Sequence, residues 1–191
     1  LESIKKQDYA SEYEVIVVDN ASTDNTAKIA LAWGAKVVYE SKRSPACARQ
    51  KGAEVATAEL IAFIDADTQA PTHWLSTIVS RFIRKPEMIA VSGPYAYCDA
   101  GKFTKITSYI GNFFSIITDQ LFRKVFNKGG AIWGCNFAVR RSAFWKVGGF
   151  DTNIKFYGEE YELSLKLKSA GKGGIMPRLF VLTSARRLKR I

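Results

Sequence analysis

The sequence predicts an α/β fold with a mostly parallel sheet flanked by helices, and three observations predict it. Short apolar runs alternate with stretches of helical periodicity through the first half of the chain, the pattern of strands joined by crossover helices. Two of those runs, residues 14–19 and 60–65, end on a carboxylate. Glycine or proline stands where the periodicity changes, as at Gly34, Pro45 and Gly171.

The elements follow in order. Residues 1–7 read as the tail of an amphipathic helix, and 14–19 as a buried strand. Turn residues 20–23 lead into a helix over 25–33 that Thr23 or Asp24 is placed to cap and Gly34 to end. A strand over 36–40 precedes a helix that opens at Pro45 and runs to about residue 57. The strand ending at Asp65 comes next, then a helix over 72–83 stopped ahead of Pro86. Residues 88–97 read as a strand interrupted at Gly93-Pro94. Residues 102–126 form a long amphipathic helix. A strand over 136–140, a short helix capped by Ser142, and a turn over 148–151 follow. The chain closes with a helix over 158–170 and a last strand over 175–183. Since no linker or repeat divides them, residues 1–191 read as one domain; its opening in what reads as a helix tail, without an initiator Met, is expected to mean a domain trimmed at both ends.

Composition narrows the function. Hydrophobic residues make up 47%, which places the chain among globular proteins. The net charge of +10 favours polyanions: phosphate-bearing substrates, anionic lipid or nucleic acid. No nucleic-acid motif accompanies that charge, so nucleic acid is not expected as a partner. Cys47, Cys98 and Cys135 have no metal-ligand spacing and read as reduced thiols of a cytoplasmic protein. His73 is the one histidine, which disfavours a histidine triad or zinc site. The longest uncharged stretch, residues 106–118, is too short to span a bilayer.

Asp65 and Asp67 carry the chemistry. Ligands of open α/β sheets sit beyond the carboxyl ends of the strands. Two acids spaced i, i+2 there suit Mg²⁺ or Mn²⁺, hard cations that bridge to substrate phosphates. The bland alternative is a strand end closed by acids in a turn.

Four blocks resemble glycosyltransferase family 2, the inverting nucleotide-sugar transferases of the GT-A fold. They are Glu14-Val-Ile-Val-Val-Asp-Asn-Ala-Ser-Thr-Asp-Asn-Thr26; Ala48-Arg49 and Gly52 with Ile64-Asp-Ala-Asp67; Gly134-Cys-Asn-Phe-Ala-Val-Arg-Arg141 with Gly148-Gly-Phe-Asp151; and Gly158-Glu-Glu-Tyr-Glu-Leu163. Their order and spacing cover nearly the whole chain. The family's opening strand, ending in Pro-x-Tyr-Asn-Glu or similar, has no counterpart here.

The resemblance implies a GT-A-like domain, a nucleoside-diphosphate sugar donor, and a saccharide or lipid-linked acceptor that receives the sugar on a hydroxyl or a lipid phosphate. Asp19, Ser22, Arg49 and Asp65 are then expected near the nucleotide, although Asp24 fits an Asx turn better and an exposed arginine is more often simply solvated. Asp67, with Asp65, is expected to hold the divalent cation. Trp133, Gly134, Cys135 and Asn136 would line the donor and acceptor cavity, or simply start a strand. Glu160, with Glu159 as understudy, stands where the family carries its base; the bland reading is an acidic first turn that complements the helix dipole. Arg186 and Arg187 would meet the diphosphate, or belong to a basic tail.

The apolar stripe of residues 102–126 is expected to pack on the core. Its alternative is peripheral contact with the inner face of a membrane. Two rivals remain: a sugar nucleotidyltransferase, which wants a glycine-rich phosphate loop not seen here, and a non-catalytic membrane-surface or nucleotide-binding module.

Overall fold

The computed structural model describes residues 1–126, 132–154, 158–186 and 188. A short helix, α1 (Glu2–Lys5), precedes β1 (Ile16–Asp19). β1 pairs in parallel with β2 (Lys36–Tyr39) through the crossover helix α2 (Thr26–Trp33). Gly34 ends α2 at φ 92°, a backbone conformation that a side chain disfavours. Asn25, not Thr23 or Asp24, is the N-cap of α2, with no side-chain cap bond; Asp24 instead accepts the Thr26 amide in the turn before the helix.

Helix α3 (Pro45–Val55) leads into β3 (Leu60–Ile64). The short strand β4 (Thr68–Gln69) precedes α4 (Trp74–Arg84), which starts two residues later than the sequence suggests. β5 (Met88–Ser92) and β6 (Tyr95–Tyr97) flank the expected interruption at Gly93-Pro94. Then come α5 (Lys102–Phe126), β7 (Asn136–Arg140), α6 (Arg141–Lys146), α7 (Glu159–Ala170), β8 (Lys172–Ile175) and β9 (Val181–Thr183). No side-chain bond caps α6, so Ser142 does not serve as expected.

The fold class holds, but the sheets are mixed where a mostly parallel arrangement was expected. The main sheet runs β3-β7-β5-β8, with β7 antiparallel to both neighbours and β5 parallel to β8. A smaller sheet runs β4-β9-β6. The single closing strand expected over 175–183 is two strands parted by a 3-10 turn at Pro177–Leu179. Proline at the start of that turn cannot donate to a ladder, so the strand breaks there. Among the described residues, β1 has no strand partner besides β2, and β3 none besides β7.

The main sheet is buried on both faces. Ile61 and Phe63 of β3, with Phe137 and Val139 of β7, meet α3, α6 and α7. Leu60, Ala62, Ile64 and Ala138 face α4 instead. This alternation with period two is what a pleated strand imposes. Phe63 stacks on Phe137 at 4.6 Å between ring centroids, and Phe150 meets Phe63 edge-on at 5.6 Å.

Helix α5 departs from expectation. Among its described side chains, those up to Leu121, the apolar ones do not enter the core: Phe103 is 80% exposed, and Phe113 and Phe114 are each 61% exposed. The side turned to the protein is polar. Asn112 donates to the Tyr95 carbonyl, and Asp119 accepts from the amide of Ile175 at 3.1 Å.

Candidate active site

Strand register assembles the site. Ile64 of β3 lies opposite Asn136 of β7, so the next residue, Asp65, comes level with the Gly134-Cys135 turn. Thr68 lies opposite Thr183, their hydroxyls bonded at 2.9 Å, which brings Asp67 beside the segment after β9. Arg186 lies in that segment and binds Asp67 through Nε at 2.7 Å. Asp99 steadies it by accepting from the Ser184 hydroxyl at 2.7 Å and the Ala185 amide at 2.6 Å.

Arg49, one helix away, reaches into the same place. Its guanidinium donates to Asp65 Oδ1 at 2.8 Å, to Glu159 Oε1 at 2.6 Å and to the Gly134 carbonyl at 3.1 Å. One fork thus joins α3, the end of β3, the turn before β7 and the start of α7. Its side chain is only 13% exposed. Burial works against its charge, but the carboxylates of Asp65 and Glu159 outweigh that and raise its affinity for the proton.

Glu159 and Glu160 open α7, where the helix dipole favours negative charge. Gly158 holds the positive φ of 108° that turns the chain into the helix. The two acids divide. Glu159 is held by Arg49, whereas Oε2 of Glu160 is buried without a hydrogen-bond partner. Burial, with the neighbouring Glu159 charge, raises the pKa of Glu160 above the ordinary carboxylate value. Gly134 makes room for it: a Cβ there would lie 3.0 Å from Glu160 Oε1 and 3.1 Å from Arg49 Nη2. Burial, reinforced by the Asp65 charge, pushes the Cys135 thiol up to about 12, so it stays protonated.

The other expected site residues make contacts of their own. Asp19 accepts the Ser22 amide at 2.9 Å, closing a turn at the end of β1. Trp133 is half-buried, its ring meeting Tyr95 edge-on at 6.3 Å. Asn136 does not line a cavity. It is fully buried, accepting from Trp74 Nε1 at 2.8 Å and donating to the Leu179 carbonyl, so it ties two sheets and α4 together. Arg187 lies outside the described residues.

Sequence reasoning passed over Asp99 and Gln50. Gln50 Oε1 accepts the Phe150 amide at 3.0 Å and so seats the Gly148–Phe150 turn against α3. Neither residue sits in a motif, and only tertiary contact reveals it. Asn20, expected only as a turn residue, does more. It donates to the Glu40 and Lys42 carbonyls and accepts from the Ser44 amide, fixing the start of α3.

The donor set is oxygen-rich and suits a hard divalent cation. No group of three metal-binding side chains gathers among the described residues. Asp65 and Asp67 fit an ion anchored by one or two carboxylates.

Fold and geometry together define an α/β domain of the GT-A type, with an acidic, arginine-braced cluster beyond its strand ends. Residues 1–148 match the family Glycosyl transferase family 2, and the chain belongs to that family. It is 27% identical over 124 residues to the glucosyl-dolichyl phosphate glucuronosyltransferase of Haloferax volcanii, a match covering 64% of this chain and 39% of the relative. It is 26% identical over 180 residues to human polypeptide N-acetylgalactosaminyltransferase 10, covering 83% of this chain and 30% of the relative. The chain thus spans well under half the length of these relatives. In fold it is similar to the mannosyltransferase of Pyrobaculum calidifontis solved with GDP-Man and Mn²⁺, at TM-score 0.73 and 21% identity, covering 99% of this chain and 55% of that one. It is also similar to GalNAc-T7 solved with UDP, GalNAc and Mn²⁺, at TM-score 0.67 and 20% identity, covering 90% of this chain and 37% of that one.

Proposed function

We propose that this domain transfers a sugar from a nucleoside-diphosphate donor to an acceptor hydroxyl, with inversion and with the help of a divalent cation. The observation that carries the reading is the convergence of Asp65, Glu159 and Glu160, from distant parts of the chain, around Arg49, with Asp67 and Arg186 alongside. The ligands of the similar structures, GDP-Man and UDP with Mn²⁺, support it.

Inversion is a single in-line displacement. The acceptor oxygen bonds to the anomeric carbon as that carbon's bond to the diphosphate oxygen breaks. The electron pair leaves with the diphosphate, and the acceptor proton passes to a carboxylate. Glu160 is the base, because Glu159 is committed to Arg49 and Glu160 retains an unengaged oxygen. Asp67 would hold the cation, with Asp65 next to it; when bound, the ion neutralises charge developing on the diphosphate. Arg186 exchanges part of its contact with Asp67 for the diphosphate, for which a guanidinium fork is well shaped. Asp19, at the end of β1, faces the nucleotide. The acceptor is a saccharide or lipid-linked hydroxyl.

The test is release of UDP or GDP from candidate donors, with and without Mn²⁺, by the parent chain and by Glu160→Gln. Cation-dependent turnover that the variant loses supports the reading; turnover unchanged in the variant contradicts it.

A further inference from the structure

Helix α5 is amphipathic in the reverse sense for a helix packed on a protein. Ile106, Ile110, Phe113, Phe114, Ile117 and Leu121 recur at spacings of three and four, form one stripe, and are 43–61% exposed. The opposite side is polar and fastened. Lys105 Nζ donates to the Cys98 carbonyl, Asn112 to Tyr95, and Asp119 accepts from Ile175. Tyr109 stacks on Phe180 at 6.1 Å. These bonds fix which way the helix faces. Turning the stripe inward would leave Asn112 and Asp119, now nearly buried, without their partners.

We infer that the outward stripe of α5 is a docking surface for an anionic lipid bilayer, with the helix lying in the plane of the interface. Charge selects this occupant. Asp119 is the one acid in α5, and it is turned to the protein. Lys102 stands at the start of the helix, the sequence of its last turns carries Arg123 and Lys124, and the chain as a whole carries +10. An apolar stripe on a basic body is the combination that binds headgroups and acyl chains together. No helix among the described residues is long and apolar enough to cross a membrane, so the contact is peripheral. The inference does not depend on the transfer reaction. It does place the surface on the side of the turn before β7, since Asn112 bonds the backbone of Tyr95, whose ring meets Trp133, the residue before Gly134.

The test is flotation of the 191-residue chain with vesicles of phosphatidylcholine, with and without phosphatidylglycerol, for the parent and for Phe113→Ser/Ile117→Ser. The double variant keeps the net charge, so it isolates the apolar contribution. The parent should float with anionic vesicles and lose that binding as salt rises, and the variant should bind at least about tenfold more weakly. Its melting temperature and nucleotide affinity should match the parent's, because both side chains are exposed. Absence of binding to anionic vesicles would overturn the inference. So would equal binding by the variant, a lowered melting temperature in the variant, or a parent dimer that the variant dissociates.

Discussion

At Arg49 a single guanidinium decides how three carboxylates are used. It occupies one oxygen each of Asp65 and Glu159 and leaves Oε2 of Glu160 buried without a partner. Removing it leaves two partly buried acids unpaired, a change that typically costs about 3 kcal/mol or more. Arg49→Met should therefore lower stability by roughly that amount in denaturant titration. Arg49→Lys should recover part of the loss, but a point charge cannot serve three acceptors in the same plane. Glu160→Gln, by contrast, should leave stability nearly unchanged. It should reduce kcat by about two to four orders of magnitude while sparing donor binding. The pH profile follows from the same residue. A base acts when ionised, and its environment raises the pKa of Glu160. Activity should therefore rise with pH through a value above the ordinary glutamate figure of about 4.3, read as the acid limb of kcat/KM. The sign for stability is opposite. A carboxyl whose pKa is raised by folding contributes stability below its unfolded pKa and loses that contribution as pH climbs through the folded value.

At the scale of elements, register governs the site. β3 against β7 sets Asp65 by Gly134, and β4 against β9 sets Asp67 by Arg186. Asn136 holds both arrangements, since it bonds Trp74 of α4 and the Leu179 carbonyl ahead of β9. Asn136→Ala should cost about 2–3 kcal/mol in chemical denaturation, because it strands a buried indole N–H and a buried carbonyl. Gly134→Ala tests the close packing of the cluster on the turn before β7. Its methyl would press on the ends of Glu160 and Arg49 from about 3 Å, so kcat should fall with little change in melting temperature. Local patterns in the sequence had already located most of these elements. The α5 boundaries and the strand over Asn136–Arg140 need only periodicity and length. What stayed hidden was the partner of each strand. Period-two patterning is the same for parallel and antiparallel neighbours, so the mixed sheet could not be read from it. The direction of α5 was hidden for a related reason: an apolar stripe shows that a helix has a face, not what that face meets.

Across the whole molecule, the acids were legible because strand-end carboxylates are few and stand in recurrent blocks. The roles expected of them came from those blocks; what no block showed is the bracing by Arg49, which is 16 residues from Asp65 and 110 from Glu159. Asn136, quoted in one of those blocks, turned out to hold the fold together. The central claim is that these strand ends form a cation-assisted nucleoside-diphosphate site anchored by Asp67. Its most direct test is calorimetric titration of UDP and GDP, with and without Mn²⁺, into the parent chain and Asp67→Ala. The account predicts binding of one nucleotide that requires Mn²⁺ and is lost in the variant. Binding equally strong without the cation, or unchanged by Asp67→Ala, would contradict it.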